Sequence, residues 1–490
     1  MRSSRLDKFK WGAALKSLTG FSGVNAIQAA FSFLTLAWLT RTLSAPDLGY
    51  WFLIEPFVAL VSTLGLFGLN WGIFLFLGEG QSSVIKAMSE VRTRVCMTLG
   101  GTAVIGTTGL TASGLIAEQG SMMIIWMLVA LLIFSDGITV FCLACCRVLN
   151  RVQDFSIGAL TKNGFFVIAL GGAYFWWPSD HLTLDFAILL KLLCVLLSAS
   201  VLVYLLRGNF SSSRGFAEGR EVYSRALRYG FPILAASVLM MAMDVLERIA
   251  LSWLVGKDAV TVYAIHSKIA SAVTLAVVTP FSLWWGRERF IRLQEKDSGR
   301  YFFRKTSVIL FFLLVSTSGL VWILGGLFFK ILAPEVQYRS EILAICLVGI
   351  IGLGMSYAFN VGLLSEGRTQ ENTVVMGVVA AIDISLTLIL VRLCGVVGAA
   401  IARAVALVVL AAAIYWRSAL VFRISYDYTS FSLILMYTFI ALAVTDSLAG
   451  GLTWGEAALD PILSSVMYIF LMGLLFGYLY KQKLFHRMGQ

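Results

Sequence analysis

Ten ionisable side chains fall within stretches that are otherwise apolar: Glu55, Asp136, Lys191, Asp244, Glu247, Arg248, Lys268, Asp383, Arg403 and Asp446. His266 is a titratable neighbour, and Arg41 stands at the outer end of the first such stretch. A charge at the centre of a membrane helix costs on the order of 2.5–3.5 kcal/mol on insertion scales, so each group needs a partner or a watery cavity. Lys191, Arg248, Lys268 and Arg403 lie in the middle or outer half of their stretches, too deep to snorkel to a cytoplasmic interface. Cations so placed suit an anionic cargo, and phosphate fits well because guanidinium and ammonium groups give it charge-assisted hydrogen bonds. The competing reading is internal ion pairing, with Asp244 or Glu247 answering Arg248 or Lys268. Asp244 and Glu247 are three residues apart on one helical face, which also suits a coupling ion such as H+ or Na+. Glu55, Asp136 and Asp383 are further acids for that role, whereas Asp446 falls near an outer end and meets water.

The elements that must position these groups follow from composition. The chain has 490 residues, 59% hydrophobic and 13% charged, with a mean hydropathy of +0.86. Soluble domains carry about 45–50% apolar and about 25% charged residues. This composition excludes an ordinary cytosolic enzyme, a disordered chain and a secreted disulfide scaffold, and points to an all-α polytopic membrane protein. A net charge of +11 is no nucleic-acid footprint in that class, because basic loops on one membrane face give the same sum.

Fourteen segments meet the requirement of about 20 mostly apolar residues. They are 17–40, 47–77, 95–117, 121–146, 156–178, 184–206, 229–255, 258–285, 305–329, 341–364, 373–392, 395–416, 430–449 and 461–480. The second is long, with Pro56 as a point for a kink. A tight turn at Cys394-Gly395 separates the eleventh from the twelfth. The first follows Arg2, Arg5, Lys8, Lys10 and Lys16 but is longer than the apolar core of a signal peptide and reads as an uncleaved helix. The N-terminus, alternate loops and C-terminal tail hold 29 Lys and Arg, counting Lys162 and Lys305 near the starts of their spans, and the intervening loops hold 5, counting Arg392 at the end of its span. That asymmetry puts both termini in the cytoplasm. The longest loops, Arg207–Arg228 and Gly286–Arg304, are too short to fold a catalytic domain.

Two patterns recur six helices apart. Leu43-Ser-Ala-Pro-Asp47-Leu-Gly-Tyr-Trp-Phe52 is echoed by Leu254-Val-Gly-Lys-Asp258-Ala-Val-Thr-Val-Tyr263, and Arg151-Val-Gln153-Asp154 by Arg368-Thr-Gln370-Glu371. Six is even, so the copies share a topology and form parallel repeats, an arrangement known in transporters. The expected organisation is a lobe at 1–228, a second lobe at 229–417, and two added helices with a tail at 418–490.

Other patterns carry less chemistry. Cys142, Cys145 and Cys146 sit in an apolar helix without a convergent His, which reads as packing and not as a metal site. Trp176-Trp177 and Trp284-Trp285 fall at helix ends as an aromatic belt. Gly473 and Gly477 form a small-residue pair for helix packing. Asn209-Phe-Ser211 has the glycosylation pattern on the cytoplasmic side. No Walker, Gly-x-Ser-x-Gly or His-Glu-x-x-His motif occurs.

Several of these stretches resemble bacterial polysaccharide and oligosaccharide flippases of the multidrug/oligosaccharidyl-lipid/polysaccharide exporter superfamily. They are Ala37-Trp-Leu-Thr-Arg41-Thr-Leu-Ser-Ala-Pro46-Asp47-Leu-Gly49, Tyr229-Gly-Phe-Pro232, Leu254-Val-Gly256, Val262-Tyr263-Ala264 and Gly395-Val-Val-Gly398-Ala-Ala-Ile-Ala402. Glu247-Arg248 stands at the family's acidic-Arg pair, with Glu in place of the usual Asp. The resemblance implies two six-helix lobes around a cationic central cavity that works by alternating access. It implies a place in a bacterial inner membrane and an undecaprenyl-diphosphate-linked oligosaccharide as cargo, with membrane lipids and polysaccharide-assembly proteins as partners and no cofactor. Arg41 and Arg248 match family motif positions. Lys191, Lys268 and Arg403 rest on the charge argument alone. The alternatives are a lipid II flippase, an ion-coupled exporter of small molecules, and a membrane glycan polymerase or ligase. The last would need a larger outer loop than any here.

Overall fold

The computed structural model describes residues 11–79, 81–112, 122–176, 182–209, 216–282, 284–285, 296–365, 369–451 and 459–479. The residues Arg2, Arg5, Lys8, Lys10, Trp177, Ser211 and Arg368, with the Asp446 and Lys16 side chains, lie outside this description. Among the described residues the chain is all-helical without strands, and fourteen long helices follow one another. They are α1 (Trp11–Thr42), α2 (Ala45–Gly65), α3 (Gln81–Ala112), α4 (Met122–Val148), α5 (Val152–Trp176), α6 (Leu184–Leu206), α7 (Phe216–Leu254) and α8 (Lys257–Val273). Then come α9 (Lys296–Leu332), α10 (Ser340–Phe359), the two arms α11 (369–394) and α12 (396–421) of the run Thr369–Val421, α13 (Tyr428–Gly451) and α14 (Leu459–Leu479). Eleven helical runs among the described residues are long and apolar enough to cross a membrane, the α11–α12 run counting as one. Helices are the expected solution in hydrocarbon, since each backbone group finds its partner within the segment.

The turns of the repeat patterns start helices. Ser44 caps α2, receiving the Asp47 N–H at 3.4 Å, while its hydroxyl donates to the Asp47 carboxylate at 2.9 Å. Gly256, at φ 126, opens α8. Gly395, at φ 57 and ψ −130, breaks the α11–α12 run at the expected tight turn.

The second expected span does not run unbroken to 77. α2 passes through Pro56 without interruption and ends at Gly65. Phe67 and Gly68 then take left-handed φ values of 48 and 78, and a short helix (Leu69–Gly72) and a 3-10 segment (Ile73–Glu79) follow. At this break the backbones of Gly68 and Gly230 approach so closely that a Cβ on either would collide with the other's carbonyl. The apolar run conceals the break because Leu66, Leu69 and Ile73 remain buried. α7 and α9 begin well before their apolar stretches, at Phe216 and Lys296.

The chain forms two compact units, Met1–Ile249 and Ala250–Gln490. In the first, α4 packs on α2, α3 and α6, and α5 on α1 and α6. The fully buried Leu99 of α3 fits a recess where α2 and α4 carry Gly65 and Gly137. Threonine hydroxyls return to their own helix, Thr98 to the Arg94 carbonyl at 3.0 Å and Thr107 to that of Ala103 at 2.9 Å. Cys142, Cys145 and Cys146 are buried beside Phe141 and Phe155 in this unit's core. In the second unit α10 lies against α12, and α9 against α10, α13 and α14. The α10–α12 approach depends on glycine: a Cβ on Gly352 would stand 2.9 Å from the Leu407 carbonyl oxygen, and one on Gly349 3.1 Å from the Ala404 Cα.

Two expectations about packing are corrected here. Gly473 and Gly477 face open space on α14: a Cβ at either position would meet nothing within 4 Å, so this small-residue pair packs no neighbouring helix among the described residues. Trp285 is no belt residue: it is buried among Phe281, Phe302 and Phe303, while Trp284 beside it is half-exposed. Trp176, by contrast, is 88% exposed at the end of α5.

Between α12 and α13, Asp427 receives the Ser430 N–H at 3.1 Å and pairs with Arg304 at 3.3 Å. Burial alone would raise its carboxyl; the bonds from Ser430 and the Arg304 guanidinium outweigh that and hold it below the usual carboxylate range. A depressed folded value contributes stability above the unfolded value and loses it as pH falls through the folded one. Thermal unfolding in detergent should therefore show Asp427→Asn less stable than wild type near neutrality, with the gap closing below the ordinary carboxylate range. The same assay should show Gly352→Ala destabilised by about 1–3 kcal/mol, the range of overpacking penalties, and Gly473→Ala unchanged.

Candidate functional site

Four helices of the first unit bring charge to one cavity of about 190 Å³. α2 contributes Trp51, Ile54, Glu55, Val58 and Ala59; α4 contributes Leu132 and Asp136; α5 contributes Lys162 and Asn163; α6 contributes Ile188 and Lys191. The volume accommodates several waters. Helices are needed here because rotamers on rigid backbones fix charged groups more closely than loops do.

Asp136 is the hub. One carboxylate oxygen is ion-paired with the Lys162 ammonium, and the other receives the Ser62 hydroxyl of α2 at 3.1 Å. Lys191 is held differently. Its ammonium stands 4.5 Å above the Phe166 ring and 3.5 Å from the Asn163 amide oxygen. Phe166 in turn stacks on Trp51, with centroids 5.6 Å apart and planes within 9°. Among the described residues Lys191 has no carboxylate within ion-pair distance, 4.0 Å. An ammonium on an aromatic face is attracted by the ring while leaving N–H donors for an incoming anion.

Glu55, Asp136 and Lys191, singled out from the sequence, thus share one cavity. The structure adds Lys162, which by sequence alone counts with the basic cytoplasmic loops. Its place inside the fifth apolar span is the available signal. The remaining candidates are distributed elsewhere. Arg41 turns back on the last turn of α1 and donates to the Ala37 carbonyl at 2.6 Å. Arg248 donates to the Phe52 carbonyl of α2 at 2.7 Å. Glu247 beside it is buried, whereas Asp244 is exposed, so the two acids do not share an environment.

In the second unit Arg403 of α12 pairs with the fully buried Asp383 of α11 at 3.4 Å, across the Gly395 turn. Lys268 is half-buried on α8 and, among the described residues, makes no ion pair. His266, two residues earlier, is fully buried. Its Nδ1 faces the Val262 carbonyl at 2.6 Å and its Nε2 accepts the Arg339 N–H at 3.0 Å, the pattern of the Nδ1–H tautomer. Internal ion pairing therefore does occur, through Asp136–Lys162 and Asp383–Arg403.

Among the described residues the chain is a multi-span helical bundle with an ionisable cavity between helices of its first unit, and it shares its fold with solved membrane transporters. The chain superposes on the lipid II flippase MurJ in an inward closed conformation, with a TM-score of 0.69 and 12% identity over 95% of this chain and 99% of that one. It also superposes on a multidrug resistance MATE family transporter in an inward-facing conformation, with a TM-score of 0.62 and 13% identity over 84% and 96% of the two chains. A third likeness is to a MOP superfamily transporter from Pyrococcus furiosus, described with a binding pocket of reverse polarity; its TM-score is 0.58 at 12% identity over 83% and 95%. These neighbours are a flippase and transporters, not enzymes. No protein-family model matches the sequence, and no curated protein matches it.

The Asp136–Lys162 pair makes a direct test of how the cavity is held. Removing one partner of an enclosed pair leaves an uncompensated charge, whereas replacing both is often neutral. Lys162→Met should lower unfolding stability by up to about 3 kcal/mol, and Asp136→Asn combined with Lys162→Met should recover most of that loss. Thermal unfolding of the purified variants checks both outcomes.

Proposed function

We propose that this chain flips an undecaprenyl-diphosphate-linked oligosaccharide, a surface-polysaccharide or O-antigen repeat unit, from the cytoplasmic to the outer leaflet by alternating access. Both termini lie in the cytoplasm. Two six-helix lobes, 1–228 and 229–417, do the work, and the helices within 418–490 are an addition. The lipid tail stays in the bilayer, while basic groups hold the diphosphate. Any coupling ion, H+ or Na+, would be drawn by Glu55, Asp136, Asp244, Glu247 or Asp383.

One observation carries the reading. Lys191 presents an ammonium in a membrane-embedded cavity, supported by an aromatic face and an amide oxygen and free of a carboxylate ion pair among the described residues. An exporter of small cations would be better served by a cavity of acids with few bases. The likeness to a lipid II flippase over nearly the whole of both chains supports a lipid-linked cargo. It also favours a second reading, lipid II itself.

A deletion strain separates these readings. Surface polysaccharide should be lost and lipid-linked sugar should accumulate on the cytoplasmic face. A strain that cannot survive deletion, with lipid II accumulating on depletion, would favour the second reading. In the complemented strain Lys191→Gln should lower export at least about tenfold, the cost of one charge-assisted hydrogen bond, and Lys191→Arg should retain most of it. Normal export by Lys191→Gln at normal protein level would overturn the cavity assignment.

A further inference from the structure

The turn of α2 from Trp51 to Pro56 holds an unusual backbone arrangement. In an α-helix the N–H of a residue bonds the carbonyl four residues earlier. Pro56 has no N–H, so the Phe52 carbonyl lacks its helical donor. In a bilayer such a freed carbonyl must find a partner elsewhere. The donor here is Nη1 of Arg248, from α7, at 2.7 Å. Phe52 is buried and Arg248 half-buried.

We infer that Pro56 is a positioning residue for Arg248: it frees the carbonyl that anchors this guanidinium against α2. The dependence is reciprocal. A guanidinium in a membrane span needs an acceptor, and a proline in a membrane helix needs an external donor. The same turn carries Trp51, stacked on the ring beneath Lys191, and Glu55, on the cavity wall. Anchoring Arg248 at Phe52 therefore sets one basic side chain on the helical turn that also lines the charged cavity.

Pro56→Ala supplies an N–H that bonds the Phe52 carbonyl within the helix and competes with Arg248. Four proteins should be compared by thermal unfolding: wild type, P56A, R248Q and P56A/R248Q. With Pro56 present, R248Q orphans the carbonyl and should lower Tm by about 4 °C. In the P56A background, R248Q should cost less than half of that. Equal drops in the two backgrounds would overturn the inference. Should P56A not accumulate, Pro56→Ser supplies the same N–H for the cycle.

A transport arm rests on the proposed function. P56A should lower export about tenfold and should have no further effect in the R248Q background. A purely structural proline would add its own loss there, which would also overturn the inference. If R248Q exports normally, the cargo-binding role of Arg248 fails, while the thermal cycle still decides the Pro56 link.

Discussion

The structure depends on one constraint: inside hydrocarbon a polar group without a partner is costly, and only some side chains, such as Thr306, Ser318 and Thr387, stay buried without a hydrogen bond. The backbone meets it by forming helices throughout the described residues. Hydroxyls meet it by returning to carbonyls one turn back, as Thr98 and Thr107 do. Charges meet it in three ways. Asp136–Lys162 and Asp383–Arg403 pair oppositely charged groups from different helices. Arg41 and Arg248 use backbone carbonyls. Lys191 uses an aromatic face and an amide. The ion pairs consume both charges, whereas the ring behind Lys191 consumes none.

Helix association needs a different explanation from that in water, since lipid is as apolar as leucine. Close approach supplies it. Gly349 and Gly352 let α10 reach the backbone of α12, and Gly65 and Gly137 admit Leu99. Glycine alone does not produce such contacts, as the open surroundings of Gly473 and Gly477 demonstrate. What matters is whether the facing helix offers a ridge at that height, and that is a property of two helices at once.

The same distinction explains what can be read from the residues. Span existence is local: a run of apolar residues and its terminating turn lie on one stretch of chain, so the helices and the Gly395 break follow from it. The break at Phe67–Gly68 is hidden because its flanks, Leu66 and Leu69, are as apolar as a span interior. Its cause is the close approach of Gly230, which is remote in sequence. Glu55, Asp136 and Lys191 each stand out as a charge in an apolar run, but their convergence is tertiary. Lys162 escapes notice because it lies within two turns of the start of the fifth expected span and is counted with the basic residues that orient it. Trp285 misleads because an aromatic at a helix end looks the same whether lipid or other rings surround it.

The cavity's balance bears on how a cargo could use it. Glu55, Asp136, Lys162 and Lys191 sum to no formal charge, so the site is not a bulk sink for anions. Asp136 is already engaged from both sides, by Lys162 and by the Ser62 hydroxyl, and breaking that arrangement would expose a carboxylate to an approaching phosphate. Lys191 can turn N–H donors toward an anion without disturbing it. Under the proposed function the pair therefore serves as scaffold and Lys191 as contact, with Phe166 and Trp51 behind it keeping the ammonium in place. Under that reading an aromatic support suits the site better than a carboxylate would, because the ammonium would have to release a phosphate as readily as it takes it. A facing carboxylate would compete on binding, whereas a ring lowers the cost of the empty state and still lets the anion be exchanged.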